Sequence, residues 1–358
     1  MKRVHFIGIG GSGLSAIARL LKENGYIVTG SDRALSQFAL ELQNAGVEIY
    51  IGHHPRNITG ADLVIRSSAI ADDNPEVEAA KLVGIPVYKR ADFLGQLMAD
   101  KTGIAVAGTH GKTTTTAMIA WTLYAMGRDP SFIVGGVLNN LKVNARAGTG
   151  DPFVIEADEY DRMFLGLKPR IEVVTNLEHD HPDCYPTYED MFSAFKSFVD
   201  LLPPDGTLIA CADDEGSVTL LSHARRKGLN VVSYSLQSEM TINSPQWMQA
   251  RTLKPNHRGG YDFSAMTNLG PSAASVLQVS LQVPGEHNVR NALATLSVVA
   301  MLGLSLQRAA EVLGEFSGTG RRFEVRGERK GVTVIDDYAH RPTEIRATLA
   351  GAKARYPG

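Results

Sequence analysis

Cysteine is scarce: the 358 residues hold two, Cys184 and Cys211, far apart and without metal-ligand spacing. That excludes a disulfide framework and a thiolate metal site, and it points to reduced thiols in a cytoplasmic protein. Charge of one sign is lacking too. With 36 basic against 38 acidic side chains and no long run of either, no surface for nucleic acid or an anionic membrane is expected, and a small-molecule substrate is favoured. No apolar stretch is long enough to span a bilayer. The opening MKRVHFIGIGGSGLSAIARLL is basic and then apolar, as a signal peptide is. Its glycines interrupt the run, Lys22 and Glu23 follow at once, and no small-residue cleavage site appears, so strand, turn and helix are expected instead. Internal repeats and low-complexity tracts are absent. The length then points to two or three ordinary domains, each able to bury a core, in a monomer or weak homodimer.

Glycine, by contrast, is placed where chemistry uses it. The apolar strand VHFI (4–7) runs into Gly8, Gly10, Gly11, Ser12 and Gly13, and Leu14, Ile17, Ala18 and Leu21 then follow helical spacing. A second strand, YIVTGSD (26–32), ends at Asp32, about 20 residues past the glycines, where an acidic side chain can meet a sugar hydroxyl. This is a Rossmann-like opening. The free N–H groups at the helix start suit a diphosphate, and the glycines let backbone approach it. Ser67 and Ser68, after a later strand in ADLVIRSSAI, are placed to line the crevice at the carboxyl edge of the sheet, or are ordinary loop polarity. A dinucleotide such as NAD and a nucleotide sugar both remain open at this point, as does a tight turn with no ligand.

A second strand, turn and helix begins at Gly103, in GIAVAGTHGKTTTTAMIAWTLYAMG (103–127). A phosphate loop usually has four residues between its first Gly and the Gly-Lys pair. Here Thr109 and His110 alone separate Gly108 from Gly111. The endings are the same: backbone N–H groups for the phosphates, Lys112 for β/γ charge, and the Thr113 hydroxyl for Mg²⁺, with Thr114 next in the turn. Four successive threonines open the helix, and Thr is a poor helix former, which weakens a purely structural account. Two later strands end in acidic tips. PFVIEADEYD delivers Glu156, Asp158, Glu159 and Asp161, and IEVVTNLEHDHPD delivers Asn176, Glu178, His179, Asp180, His181 and Asp183. Parallel strands place these tips on the same sheet edge as the loop, where they can ligate Mg²⁺. The stripe Phe192, Phe195, Val199 and Leu202 is at helical spacing and is expected in the core. Residues 238–283 lack that periodicity, and NHRGGYDF within them predicts an antiparallel hairpin.

Six segments now make a family visible: GTHGKTTTT (108–116), EADEYD (156–161), TNLEHDHPD (175–183), GEHNVRNALA (285–294), GTGRRFE (318–324) and IDDYAHRPTEI (335–345). Their order and spacing resemble those of the Mur ligases, over the whole chain. The resemblance implies an α/β protein with an N-terminal Rossmann-like domain at 1–100 for the UDP-sugar, and a central P-loop ATPase domain at 101–323 carrying the antiparallel segment. The start of a C-terminal Rossmann-like, amino-acid-binding domain would occupy 324–358. It implies ATP and Mg²⁺, UDP-N-acetylmuramate as acceptor and, by the form of the first glycine loop, L-alanine as the added amine. It further implies that Glu156 and His181 hold a Mg²⁺ beside an acyl phosphate, that His287 and Asn291 contact adenine and ribose, that Arg322 approaches the phosphates, and that Asp337 lies near the ribose. Two positions depart from the pattern. Tyr160 stands where alanine-adding members usually have Ser, a form shared with ligases that attach a tripeptide, and Arg341 replaces the second His of D-D-Y-x-H-H-P.

The last stretch, GVTVIDDYAHRPTEIRATLAGAKARYPG (331–358), offers one strand at Val332 to Asp336 and one helix with Ile345, Thr348 and Leu349 on a face. One such unit cannot bury its apolar side alone. A truncated chain is therefore expected, with weakened ATP binding and little ligation. Its residues after about 330 should be poorly ordered, or docked through Val334 and Ile335.

Overall fold

A computed structural model of the chain describes residues 2–236, 244–270 and 275–356. Positions 238–243 and 271–274 of the expected antiparallel segment lie outside that description. The first unit alternates strand and helix: β1 (Arg3–Ile7), α1 (Ser12–Glu23), β2 (Ile27–Asp32), α2 (Gln37–Asn44), β3 (Glu48–Ile51), β4 (Leu63–Arg66), α3 (Pro75–Leu82), β5 (Val87–Lys89) and α4 (Arg90–Leu97). Its five strands are all parallel, in the order β3-β2-β1-β4-β5. Chain order therefore reverses between β1 and β4, and a crevice opens there at the carboxyl ends of the strands. Leu14, Ile17, Ala18 and Leu21 of α1 are all buried, as their spacing predicts.

The second unit comprises β6 (Thr102–Ala107), α5 (Lys112–Ala125), β7 (Ser131–Leu138), β8 (Val143–Arg146), β9 (Pro152–Glu156), β10 (Ile171–Val174), α6 (Tyr188–Val199), β11 (Thr207–Cys211), α7 (Glu215–Arg226), β12 (Asn230–Ser235), β13 (Gln246–Pro255), β14 (Tyr261–Thr267), β15 (Ser275–Ser280), α8 (Glu286–Met301) and α9 (Leu306–Leu313). Ten strands form one sheet, ordered β15-β14-β13-β12-β11-β10-β6-β9-β7-β8. β6 sits between β9 and β10 and is parallel to both, so this sheet too changes direction at the loop that leaves β6. The apolar run of β6 is buried on both faces, which suits a central parallel strand. The 238–283 region supplies β14, which is antiparallel to β13 and β15; Gly259 at φ +82° lies in the turn between β13 and β14. Its left-handed backbone there costs glycine nothing.

Two apolar layers cover the central sheet. On one side Phe195, Phe198 and Val199 of α6 join a core that continues without a break into Leu14, Ile17 and Leu21 of α1. α6 starts at a capping box in which Thr187 Oγ1 accepts from Asp190 N at 3.2 Å and Asp190 Oδ2 accepts from Thr187 N at 3.1 Å. On the other side α5, α8 and α9 share a second core, with Trp121 Nε1 donating to the Val312 carbonyl at 2.9 Å. Among the described residues no helix is long and apolar enough to cross a membrane.

The final residues correct one expectation. β16 (Glu324–Arg329) and β17 (Val332–Asp336) form an antiparallel hairpin, followed by α10 (Pro342–Arg355). Of the two residues expected to dock, Val334 is 55 % exposed and Ile335 is half-buried. α10 docks instead through polar and small residues. Glu344 bonds His110, Arg341 reaches Asp180, and Gly351 faces Pro284. Ile345 and Leu349 stay exposed, because nothing among the described residues covers that face.

Candidate functional site

Gly8, first in the glycine loop, adopts φ +84°, and Gly11 caps α1 with no side-chain hydrogen bond. The N–H groups of the first turn are thus left for a ligand. Gly10 is a close-approach glycine, since a Cβ there would lie 2.8 Å from Ser36 Oγ and 2.9 Å from Asp32 Oδ2. Asp32 has a structural task beyond the one its position suggested: Oδ2 accepts from Gly10 N at 2.8 Å and Oδ1 from Arg33 N at 2.7 Å. It fastens the loop to β2. Ser67 lies beside Gly8 across the crevice, and Ser68 is exposed. Gly8, Gly10, Gly11, Ser12, Gly13, Asp32 and Ser67 therefore share the switch point of the first sheet.

The loop after β6 is held from the neighbouring strand. Thr109 N donates to Asn176 O at 2.9 Å, His110 N to Asn176 Oδ1 at 2.9 Å, and Thr109 Oγ1 exchanges bonds with the Glu178 backbone at 2.8 and 2.9 Å. Gly108 (φ +133°) lies against the Thr175 hydroxyl and the Asn176 backbone, and Gly111 (φ +83°) caps α5. Two residues shorter than the usual form, the loop is braced by β10 and its tip.

Behind the loop lie two linked polar clusters. Thr113 Oγ1 donates to Glu156 Oε1 at 2.9 Å, and Gly135 N donates to Glu156 Oε2 at 2.6 Å. Burial pushes the Glu156 carboxyl above its usual pKa, with Lys112 and these bonds opposing. Lys112 Nζ meets Glu159 Oε1 at 2.8 Å and also donates to the Gly108 and Thr109 carbonyls. Glu159 is 1 % exposed; burial opposes its ionisation, but Lys112 and His181 outweigh it and hold its pKa below the usual range. His181, at 3.5 Å from Glu159 and 3.7 Å from Asp180, is shifted upward, chiefly by Glu159.

The resemblance pairs Glu156 with His181, and in the structure the two side chains belong to neighbouring clusters. Among the described residues, the ligand atoms that converge within 4.8 Å belong to Glu159, Asp180 and His181, whereas Glu156 stays with Thr113 and Gly135. Residue order could not separate two carboxylates three positions apart on one tip. The buried Glu159 Oε2 has no hydrogen-bond partner. A hard divalent cation would satisfy such an oxygen, so the donor set fits Mg²⁺. Tyr160, one of the two departures, is placed here: its hydroxyl donates to Asp183 at 2.9 Å and its ring meets His181 edge-on at 5.1 Å.

Beside the loop opens a cavity of about 750 Å³. His110, Gly111, Thr113, Thr114, His287, Asn291, Arg322 and Asp337 all line it. Four separate motifs thus meet in one space of a size that suits a nucleotide. Asn291 is buried and bonded to Asn288 Oδ1 at 3.1 Å. His287 is open to the cavity yet surrounded by protein, which lowers its pKa to about 4 and keeps it neutral. Arg322 lies over the Tyr338 ring at 5.5 Å, and Asp337 accepts from Phe323 N and Ala339 N, both at 2.7 Å. Sequence reasoning missed Asp213, which pairs with Arg290 at 2.8 Å and also lines the cavity. Its position just past β11, on the same sheet edge, was a usable signal. α10 closes one side, with Glu344 on His110 at 3.0 Å and Arg341 on Asp180 and the His179 carbonyl.

Comparison with known proteins agrees with this layout. Residues 3–102 match the profile described as Mur ligase family, catalytic domain; 106–299 match the Mur ligase middle domain, and 321–358 the Mur ligase, glutamate ligase domain. UDP-N-acetylmuramate--L-alanine ligase of Renibacterium salmoninarum is 46% identical over 351 residues, covering 98% of this chain and 73% of that protein. The crystal structure of UDP-N-acetylmuramate-alanine ligase from Thermotoga maritima is similar with a TM-score of 0.84 at 31% identity, covering 100% of this chain and 79% of that one. The UDP-N-acetylmuramate:L-alanyl-gamma-D-glutamyl-meso-diaminopimelate ligase from Neisseria meningitides gives 0.77 at 28% identity, over 90% of this chain and 100% of that one. With a switch-point glycine loop in one sheet, a short phosphate loop in the next, and profile matches along nearly its whole length, the chain belongs to the Mur ligase family.

Proposed function

We propose that the protein joins L-alanine to the lactyl carboxylate of UDP-N-acetylmuramate at the expense of ATP, forming a peptidoglycan precursor. The observation that carries this reading is the placement of two ligand sites in one molecule. The crevice at the first switch point supports the diphosphate assignment, and the cavity and acidic cluster at the second support that of ATP. Carboxylates resist attack by amines, because the group is anionic and its oxygen leaves poorly. Attack of the lactyl carboxylate on the γ-phosphorus of ATP breaks its bond to the bridging oxygen, releases ADP and gives an acyl phosphate, which removes both obstacles. The alanine amine then adds to that carbonyl, and phosphate leaves.

In this reading the loop N–H groups cradle the β- and γ-phosphates, and Lys112 leaves Glu159 to neutralise their charge. His287 and Asn291 hold the adenosine, with Arg322 toward the phosphates and Asp337 toward the ribose. Gly8, Gly10, Gly11, Ser12, Gly13, Asp32, Ser67 and Ser68 form the UDP-sugar site. Thr113 and Glu156 on one side, and His181 with Glu159 and Asp180 on the other, would hold Mg²⁺, which supplies charge neutralisation on the transferred phosphoryl group when bound. The chain's three parts, 1–100, 101–323 and 324–358, would serve UDP-sugar binding, ATP chemistry and the start of the amino-acid site.

Tyr160 supports a second reading, addition of a tripeptide, since that form is shared with ligases of that kind. A relative named UDP-N-acetylmuramate--L-alanine ligase, 46% identical over 98% of this chain, favours alanine. Phosphate release is measured with ATP, Mg²⁺ and UDP-N-acetylmuramate plus either L-alanine or the tripeptide, with calorimetric titration of NAD alongside. Whatever release occurs should depend on alanine, and no NAD binding is expected. Release with the tripeptide alone, or binding of NAD, would overturn the reading.

A further inference from the structure

Arg90, the first residue of α4, has no part in any motif discussed above. It follows β5 at the carboxyl edge of the first sheet, and its guanidinium lies flat on Gly13, where any Cβ would overlap it. The first turn of α1 thus carries a cation directly on its surface. The guanidinium makes no hydrogen bond or ion pair with the described residues, and its Nε is fully buried without a partner. Burial lowers its pKa, and Asp158 and Glu156 act in the opposite direction.

The position is rigid and central. Gly95 of α4 meets the Gly166 carbonyl, and Gly166 in turn meets Ala91, so that larger side chains at either glycine would overlap backbone. Through these contacts α4 is clamped to the segment that follows the acidic tip of β9. Arg90 therefore stands between the glycine loop of one sheet and the carboxylates of the other. The side chain is half-buried, and its buried Nε lacks a partner, so an anion at this point would complete it. Glu156 already has two donors, Thr113 and Gly135. The guanidinium lies against the first turn of α1, whose N–H groups have no side-chain cap, and donors of both kinds suit the oxygens of a phosphate.

We propose that Arg90 is a substrate-positioning residue that grips the diphosphate of the sugar nucleotide against the first turn of α1, on the side that faces Glu156. The inference rests on the UDP-sugar reading above. Held at that point, the sugar nucleotide is anchored next to the centre where its carboxylate reacts.

The test is calorimetric titration of the wild-type chain, Arg90→Met and Arg90→Lys with three probes: uridine, UDP and UDP-N-acetylmuramate. Arg90→Met should weaken UDP and UDP-N-acetylmuramate about ten- to a hundredfold, as expected for loss of charge-assisted hydrogen bonds, and leave uridine unchanged. Arg90→Lys should fall between, since it keeps the charge and loses the fork. The thermal midpoint of the ligand-free protein should be unchanged or higher in Arg90→Met, because a half-buried charge whose Nε has no partner is removed. Equal losses for uridine and UDP would show a general disturbance of the site and overturn the proposal. A loss confined to UDP-N-acetylmuramate would assign Arg90 to the carboxylate and overturn the diphosphate grip. Unchanged UDP affinity in Arg90→Met refutes this inference alone, whereas a wild-type chain that binds no UDP refutes the UDP-sugar reading with it.

Discussion

Replacing Lys112 by Met should destabilise the ligand-free protein, and a second substitution should restore it. Lys112 Nζ is 2.8 Å from Glu159 Oε1, where the carboxylate is 1 % exposed and its other oxygen has no partner. Without the ammonium, Glu159 keeps among the described residues only His181, at 3.5 Å, as an ion-pair partner. Removing one member of a buried ion pair costs about 3–5 kcal/mol, mostly as the penalty on the charge left behind. For a urea slope of about 2–3 kcal/mol/M, the midpoint should fall by about 1–2 M. Both tryptophans report from the central unit, Trp121 in α5 and Trp247 in β13, so intrinsic fluorescence follows the right part of the molecule. Lys112→Met with Glu159→Gln removes the orphaned charge and should recover most of the loss. The deficit of the single variant should also shrink at lower pH. Its Glu159 would have a folded pKa raised above the unfolded value, so the penalty is relieved by protonation as pH falls. Neither variant should release phosphate from ATP. A single variant that unfolds at the wild-type midpoint, or a double variant no more stable than the single, would refute the reasoning.

Further expectations concern the first unit, the loop and the acidic tip. Glu76 is fully buried; burial opposes its ionisation, but bonds from His5, Ser31 and Asn57 hold its pKa at about 2. Against an unfolded value of 4.5, ionised Glu76 contributes about 3 kcal/mol above pH 4.5, lost as pH falls toward 2. Circular dichroism should therefore show Glu76→Gln less stable at neutral pH, the gap closing across that window; a constant gap contradicts it. Gly108→Ala places a Cβ at φ +133°, 3.0 and 3.1 Å from Asn176 backbone atoms. Strain of about 1–3 kcal/mol should cut ATP affinity roughly tenfold or more and spare UDP binding, and equal affinities would show that the loop tolerates the change. Glu156→Ala should lower turnover far more than UDP-N-acetylmuramate affinity, since charge stabilisation matters most in the transition state; unchanged turnover would remove Glu156 from the site.

Much of the fold was legible because two periodicities were clean. The apolar runs of β1 and β6, each followed by glycines and a helical stripe, could hardly be anything but strand, loop and helix, and parallel pairing then placed every acidic tip on one edge. The hairpins β7–β8 and β16–β17 were not foreseen. β16 and β17 are joined by the two-residue turn Lys330-Gly331, both at positive φ, but lysine stands where Asn or Asp would signal it. β7 and β8 are joined by a longer loop, and β16 is nearly all polar or exposed, so alternation had little to act on. The docking of α10 was misplaced for a related reason. Hydrophobicity drew attention to Val334 and Ile335, while the contact is made by Glu344, Arg341 and Gly351, whose chemistry is visible only once His110, Asp180 and Pro284 are beside them.

The candidate site was legible in its membership more than in its pairing. Motif order brings Glu156, Glu159, Asp180 and His181 to one edge, but which carboxylate faces which cation depends on backbone conformation. Asp161 and Arg162 adopt φ +53°, and His181 adopts φ +54°. Non-glycine residues reach that region at a cost, and runs of them turn side chains away from the direction a regular element would give. Glu159, just ahead of the first of these turns, is thereby aimed inward at Lys112, and His181 at the second meets it. Arg90 shows the opposite limit. It has no motif and no partner, so no pattern in the sequence marks it. It becomes informative only when the structure shows a guanidinium resting on a glycine whose smallness the loop requires. A spacing rule detects residues that act through their neighbours in the chain. A residue whose partner is a ligand, and whose seat is built by another strand, is found by asking which buried polar atoms the folded protein leaves unsatisfied.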